Sequence, residues 1–485
     1  MTTGSEQFEG AALVPMIRVV IINFDGGQMT LDCLDSVLAT DWPADRLEIV
    51  LVDNGSLDDV ADIVRSEPQY STVTLLEPLA NLGFAGGCNL GIEHPGQFDY
   101  MALLNNDARV EPGWLVALLA AFDDPDRPLR RARPFDGQSA SSSGRIGAVS
   151  PKMLFADRSL LVDVEVPDAA PILSGDPRHL GVRVTAVRLD GKRIDDRVDF
   201  DEGFFGFEVP DRTVGEELAR WSMASGAVRI AVDEAAEEAP VSVALRLVSL
   251  APRTVTISTP VESRTLSVGD DPIWVEVRID PTPLDVINNV GSELYFDGFA
   301  GDRGFLEVDH GQYDIDAEVF AWCGGAVLLS REYLDDVGLF DERLFLYYED
   351  TDLAWRARLR GWRHVYTPAT VVRHHHGASA GAHSDVFRFH TERNRLLVLA
   401  KNAPLVLVAR SAIGELRRLV VAVLRHFLIR PLTLRLPARI EVTRRWQVTR
   451  SYLSLLPSML KSRRELGPVD RSAPMAWQVD KWGQR

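Results

Sequence analysis

Four short apolar runs set at a regular rhythm constrain this chain more than any other feature. Arg18–Phe24 (RVVIINF), Glu48–Val52 (EIVLV), Thr72–Leu76 (TVTLL) and Tyr100–Leu104 (YMALL) are too continuously apolar to alternate faces, so each reads as a strand buried on both sides. Helical patterns separate them: Leu31, Leu34, Val37 and Leu38 share one helical stripe, and Pro112 stands where a helix can begin before Trp114–Phe122. Strand–helix alternation of this kind requires a mostly parallel sheet with helices on both faces. An α/β class follows.

The rhythm then breaks and later returns. Residues 123–145 are polar and rich in breakers, as in an exposed loop. From 157 to 284 only short β-rich runs appear: Val182–Val187, Val228–Val232, Val241–Leu250, Thr254–Thr259 and Trp274–Ile279, with turn signals at Asp190-Gly191 and Gly269-Asp270. This stretch predicts an inserted all-β, sandwich-like module. Beyond Asn288, helices are expected over Arg331–Val337 and Asp352–Arg360, with Gly338 and Gly361 as C-terminal stops. After Asn402 the chain reads as basic helices broken at Pro431 and Pro437. The expected divisions are 14–156, 157–284, 285–401 and a helical tail over 402–485, in keeping with a prior of roughly three domains for this length.

Charge sharpens the division. The net charge of -18 argues against a nucleic-acid binder. Between 409 and 464, however, thirteen Arg and Lys face only Glu415 and Glu441, a local +11, which leaves -29 on the rest. Three cysteines (Cys33, Cys88 and Cys323) form no CxxC pair and are too few for a disulfide framework, so structural zinc is not expected and a reduced, cytosolic compartment is. The N-terminus lacks a basic n-region, and Leu405 to Ile429 is broken by Arg410, Glu415, Arg417, Arg418 and Arg425, so neither a signal peptide nor a membrane span is expected.

In open parallel sheets, ligands bind beyond the C-terminal strand ends. After the second run comes Asp53-Asn54-Gly55-Ser56, where a carboxylate can accept from a ribose or base, or simply make an Asx turn. After the third comes Asn81-Leu82-Gly83-Phe84-Ala85-Gly86-Gly87-Cys88-Asn89, whose glycines would let backbone amides approach a ligand, although neither GxGxxG nor a P-loop lysine is present. After the fourth comes Asn105-Asn106-Asp107: a carboxylate for a divalent cation bridging a diphosphate, or a polar turn. Further on, Glu349-Asp350-Thr351-Asp352 follows four aromatic or apolar residues at a helix start. It could cap that helix, or supply a carboxylate raised toward general-base duty. His374, in the run Arg373 to Gly377, could complete a metal site with Asp107, or lie on the surface.

Together the strings IINFDGG, VDNGS, NLGFAGGCNLG, NNDA, WCGGAVLLSREYLDDVGLFDE, FLYYEDTDLAWRARLRGW and the P-x5-H-x4-S run from Pro368 to Ser379 resemble family 2 of the inverting, GT-A-fold glycosyltransferases, especially its bacterial rhamnosyltransferase-like branch. The resemblance spans residues 15–156 and 286–402. It implies a Rossmann-like nucleotide-diphospho-sugar transferase domain interrupted by the β-module. It also implies a donor pocket of Asn23, Asp53, Asn54, Asn81, Gly83, Gly86, Asn89, Asn105, Asn106 and Asp107, with Trp322, Gly324 and Gly325 beside donor and acceptor. Asp107 and His374 would hold Mg2+ or Mn2+, and Asp350, paired with Glu349, would be the catalytic base. Asn105 departs from the family's DxD pattern, being an amide where many relatives have the first acid. The implied partners are a nucleotide-diphosphate sugar and a glycan or lipid-linked acceptor. The basic segment bearing Arg417, Arg418, Arg425, Arg430, Arg435, Arg439, Arg444 and Arg445 suits an anionic inner membrane leaflet, a solvated face, or the enzyme's own acidic body. The module suits carbohydrate binding, a spacer or an oligomer contact. A nucleotidyltransferase is the alternative enzyme, but Phe24-Asp25-Gly26-Gly27 lacks its basic Gly-rich loop. A non-catalytic sugar-binding scaffold is the third reading.

Overall fold

The computed structural model describes residues 14–122, 130–131, 144–171, 178–201, 203–206, 216–232, 240–375, 384–429 and 439–480. The expected loop over 123–145 falls almost wholly outside these residues, as do Pro431, Pro437, Arg430, Arg435 and the end of the P-x5-H-x4-S run. The chain divides into two compact units: Met1–Leu154 with Asn288–Gly304 and Gly311–Arg485, and Phe155–Ile287 with Phe305–His310.

The first unit is built on β1 (Ile17–Asn23), β2 (Leu47–Asp53), β3 (Val73–Leu76) and β4 (Tyr100–Asn105). These pair in parallel in the order β3-β2-β1-β4. The sheet explains the continuous apolar runs. Val20 and Ile22 enter one core and Val19 and Ile21 the opposite one; Val50 and Val52 are likewise set against Ile49 and Leu51. Both faces are covered, so no strand position is free to be polar. Arg18 is an exception, fully buried in β1. Its Nε meets Glu48 at 2.7 Å, and its Nη1 donates to the carbonyls of Ile92 (2.8 Å) and His94 (2.7 Å) at the end of the helix Gly83–Glu93. A guanidinium there satisfies carbonyls the helix leaves unpaired.

Helices α1 (Gln28–Leu38), α2 (Val60–Ser66), α3 (Gly83–Glu93) and α4 (Trp114–Ala120) supply the crossovers. Past β5 (Ala108–Val110) and β6 (Ile146–Phe155), β7 (Ala326–Ser330) packs antiparallel to β4, with Ala326 opposite Leu104. β8 (Arg363–His374) pairs with β5, with His374 opposite Ala108. His374 is the last residue of β8. Pro368 lies within β8, between the segment paired to Ala317–Glu318 and the segment paired to β5, where its missing N–H costs no ladder bond in either.

Helices α5 (Arg331–Val337), α6 (Glu349–Leu359), α7 (Asp385–Asn402), α8 (Leu405–Leu424) and α9 (Arg439–Glu465) complete the unit. Gly338 and Gly361 have φ of 84° and 85°, the left-handed conformation that helix ends favour. The second unit has two antiparallel five-stranded sheets. One is centred on Arg183–Leu189 and Val241–Val248, the other on Ser225–Val232 and Arg158–Glu165. Val184, Val243 and Val277 of one sheet share a core with Val162, Val228 and Val255 of the other.

Candidate active site

The C-terminal ends of β1, β2 and β4 are tied by side-chain amides. Asn23 is fully buried; its Oδ1 accepts from Gly26 N (3.1 Å), Thr30 Oγ1 (2.7 Å) and Asn106 Nδ2 (3.2 Å). Its Nδ2 donates to Ser56 Oγ (3.0 Å) and lies 3.4 Å from Asp53 Oδ1. Asp53 also accepts from the backbone N–H of Ser56, three residues on, at 3.2 Å. Asn54 Nδ2 donates to Asn81 Oδ1 (3.1 Å) and Gly83 O (3.0 Å), joining the loop after β2 to that after β3. Asn23 and Asn106 thus brace the strand ends, with Asp53 also buried and Asn81 exposed.

Several expected donor contacts are reassigned by the geometry. The glycine-rich stretch is a helix from Gly83 onward, not a loop. Its glycines permit close packing: a Cβ on Gly83 would come within 2.5 Å of Phe345 O, one on Gly86 within 2.8 Å of Leu82 Cβ, and one on Gly87 within 3.1 Å of Ile22. Asn89 is buried and committed, donating to Phe340 O and accepting from Phe340 N, both at 3.0 Å. Trp322 is fully buried in the core, with Nε1 3.3 Å from Tyr333 Oη. Gly324 and Gly325 do adjoin the chemistry. Gly324 N donates to Asp350 Oδ2 at 3.0 Å. Gly325 O accepts from Asn105 N at 2.9 Å, which draws the end of β4 onto the turn that opens β7.

Around them lies a charged cluster. His374 Nε2 is 3.0 Å from Asp107 Oδ1 and 3.2 Å from the Asn105 amide nitrogen, while its Nδ1 is 3.0 Å from Asn288 Oδ1. Burial by itself would raise the Asp107 carboxyl, but the His374 hydrogen bond and charge outweigh it and hold the group below the usual carboxylate range. Asn105 Oδ1 is buried with no partner among the described residues. No cluster of three or more His, Cys, Asp or Glu able to hold a metal occurs among the described residues.

Glu349 and Asp350 open α6 instead of preceding it, because the helix starts three residues before its expected first residue, Asp352. Burial and then the Asp350 charge push Glu349 up to about 8. Burial also raises Asp350, opposed by N–H bonds from Gly324 and Thr351. Both carboxyls are therefore raised by burial, with backbone donors opposing the rise at Asp350 and the Asp350 charge adding to it at Glu349.

Asn288, Asp302 and Asn394, none of them expected from the sequence, also shape this cluster. Asp302, raised by burial, accepts from Asn289 Nδ2 at 2.6 Å and acts electrostatically on Asp350. Asn394, fully buried on α7, donates to the carbonyls of Leu344 (2.8 Å), Leu346 (2.9 Å) and Tyr347 (2.7 Å). Phe345, Tyr347 and Tyr348 have φ of 66°, 67° and 70°, a conformation that bulky side chains disfavour, so Asn394 clamps the strained turn leading into Glu349. The adjacent amides Asn288-Asn289, where the α/β texture resumes, are a local hint of the first two residues. Nothing local marks Asn394.

A parallel α/β sheet with an antiparallel strand beside β4 and carboxylates gathered at its C-terminal edge defines a GT-A-type transferase domain. Residues 18–145 match the glycosyl transferase family 2 model. It is 46% identical over 61 residues to the N-acetylglucosaminyl-diphospho-decaprenol L-rhamnosyltransferase of Mycobacterium tuberculosis, covering 12% of this chain and 20% of the relative. It is 27% identical over 103 residues to glycosyltransferase AglE of Haloferax volcanii, covering 21% and 34%. The chain thus spans about a fifth to a third of the curated relatives it matches. Among solved structures, GalNAc-T7 with UDP, GalNAc and Mn2+ gives a TM-score of 0.42 at 11% identity, covering 94% of this chain and 59% of that one. The mannosyltransferase PcManGT from Pyrobaculum calidifontis with GDP-Man and Mn2+ gives 0.35 at 11%, covering 98% and 84%.

Proposed function

We propose that this protein is an inverting glycosyltransferase that moves a sugar from a nucleotide-diphosphate sugar to a hydroxyl of a glycan or lipid-linked acceptor, in envelope polysaccharide synthesis at the inner face of the membrane. The observation that carries the reading is the buried carboxyl pair at the start of α6, with Asp350 oriented by the Gly324 N–H at 3.0 Å and Glu349 raised to about 8 by burial and the Asp350 charge. Asp350 takes the proton of the acceptor hydroxyl. The freed oxygen attacks the anomeric carbon, and the bond to the diphosphate oxygen breaks, its electron pair leaving with the diphosphate. One displacement with no carboxylate nucleophile inverts the centre. A neutral Glu349 spares the site a second adjacent negative charge, and Asp53 and Asn81 are the residues we assign to the donor nucleoside.

The donor set fits a hard divalent ion. A carboxylate (Asp107), an imidazole nitrogen 3.0 Å from it (His374) and the orphaned amide oxygen of Asn105 suit Mg2+ or Mn2+ when phosphate oxygens supply the remaining ligands. Bound there, the ion would supply charge neutralisation for the departing diphosphate. Rhamnose as the sugar, and a lipid diphosphate as the acceptor's carrier, are supported by the name of the mycobacterial relative. The test is donor turnover over a panel of nucleotide sugars with Mg2+, Mn2+ or chelator, with and without acceptor. We expect one donor to be consumed and the chelator to slow it. No turnover of any donor with either ion would overturn the reading.

A further inference from the structure

Helix α8 is built inside out. Its buried stripe, Leu407, Ser411, Glu415, Leu419, Ala422 and, just past the helix, His426, contains three polar residues. Glu415 in that stripe takes Arg445 at 3.2 Å and Arg418 at 3.3 Å. The opposite stripe, Leu405, Ile413, Leu416, Val420, Leu424 and Phe427, is wholly apolar and exposed, from 44% at Leu424 to 66% at Leu405 and Ile413. Its members recur at three-, four- and eight-residue intervals, so they line one side of the helix. A contiguous apolar stripe about 30 Å long, the length of twenty helical residues, is not what water selects.

The surrounding charge says what covers it. Arg410, Arg417 and Arg425 are exposed on the same helix, and its only acid, Glu415, is buried. Among the described residues, no helix is long and apolar enough to cross a membrane. A helix with an exposed apolar side and flanking arginines suits the plane of an anionic bilayer surface, with its side chains among the acyl chains and the guanidiniums at the headgroups. A second copy would bring the same arginines and no exposed acid on this helix to meet them.

We propose that α8 docks this protein on anionic lipid, lying in the membrane surface through its Leu405–Phe427 stripe. The purpose of docking rests on the lipid-linked acceptor proposed above, whereas its evidence is the helix alone. The geometry also revises the basic-tail reading: Arg418, Arg444 and Arg445 are engaged within the protein, with Arg444 3.9 Å from Asp385, so the apolar stripe carries the contact.

Co-sedimentation of the full chain with phosphatidylcholine vesicles, with and without phosphatidylglycerol, tests this without donor or acceptor, so its failure leaves the transferase reading intact. We expect binding to the anionic vesicles. Ile413→Asp/Leu416→Asp should weaken it at least about tenfold, since two apolar side chains leave the bilayer. Arg410→Gln/Arg417→Gln should weaken it about fivefold per arginine, only where anionic lipid is present. All four positions are exposed, so unchanged circular dichroism and melting should accompany the loss. Absence of binding to anionic vesicles overturns the proposal, as does binding indifferent to the Ile413/Leu416 pair. A dimer that this pair dissociates, with no vesicle binding, assigns the stripe to a second copy and overturns it too.

Discussion

Glu349 shows how one buried carboxyl ties catalysis to stability. Its ordinary value of 4.5 rises to about 8 in the folded chain. Between those values the unfolded chain has released the proton and the folded chain still holds it. The folded state therefore binds more protons, and its stability falls as pH rises through that window. Glu349→Gln should flatten this decline, which melting temperatures from about pH 5 to 8 would reveal. Asp350→Asn should leave donor binding intact and cost roughly a hundred- to ten-thousandfold in turnover, the usual worth of a positioned base. Near wild-type turnover in the purified variant would assign the base elsewhere. The residues themselves were legible because chemistry restricts them to a few types. Their raised carboxyls were not, because these depend on burial contributed by distant segments, opposed at Asp350 by the Gly324 and Thr351 N–H groups.

At the scale of elements, α7 holds the turn before Glu349 from behind. Asn394→Ala would leave the carbonyls of Leu344, Leu346 and Tyr347 short of a donor. It should lower both melting temperature and turnover while sparing the donor KM, and Asn394→Asp, which has no N–H to offer, should not rescue it. Unchanged turnover in both variants would reduce Asn394 to packing. The same helix supplies Lys401, whose buried ammonium meets Asp341 at 2.7 Å and Asp352 at 2.8 Å, with Arg356 2.9 Å from Asp352. Burial alone would raise both carboxyls; the cations beside them outweigh it and hold both low. Lys401→Met should cost roughly 3–5 kcal/mol in denaturant unfolding, because it removes the ammonium shared by two buried carboxylates and leaves Asp341 to Arg343 and Asp352 to Arg356. Here sequence patterns gave helix positions well, α5 without error, but not their partners. Asp352 looked like a third acid of a catalytic cluster, and its ligands show an anchor.

For the whole molecule, the β-module closes on itself with residues beyond the β-rich stretch. Asp285 meets Arg158 at 3.1 Å, and Ile287 exchanges backbone bonds with Leu306 (2.9 Å) and Glu307 (2.8 Å). A fragment of residues 155–310 should therefore unfold cooperatively. One of residues 157–284, lacking these ties, should melt lower, as comparison by circular dichroism would show; equal melting would make Phe305–His310 incidental. The short return segment lacked any β-rich signature, so its contacts with Phe155 and Asp285–Ile287 assign it to the module.

Much about this protein was settled by local sequence alone. Strands buried on both faces admit almost no polar residue, and helix ends need glycine at left-handed positions, so β1 to β4, Gly338 and Gly361 announce themselves. Tertiary structure decided the rest, since burial, charge coupling and helix faces arise between residues far apart in the chain. It made the Gly83 stretch a packed helix, put Trp322 and Asn89 in the core, and brought Asn288, Asp302 and Asn394 to the carboxyl cluster. It also gave α8, within the basic tail, an outward face that is apolar.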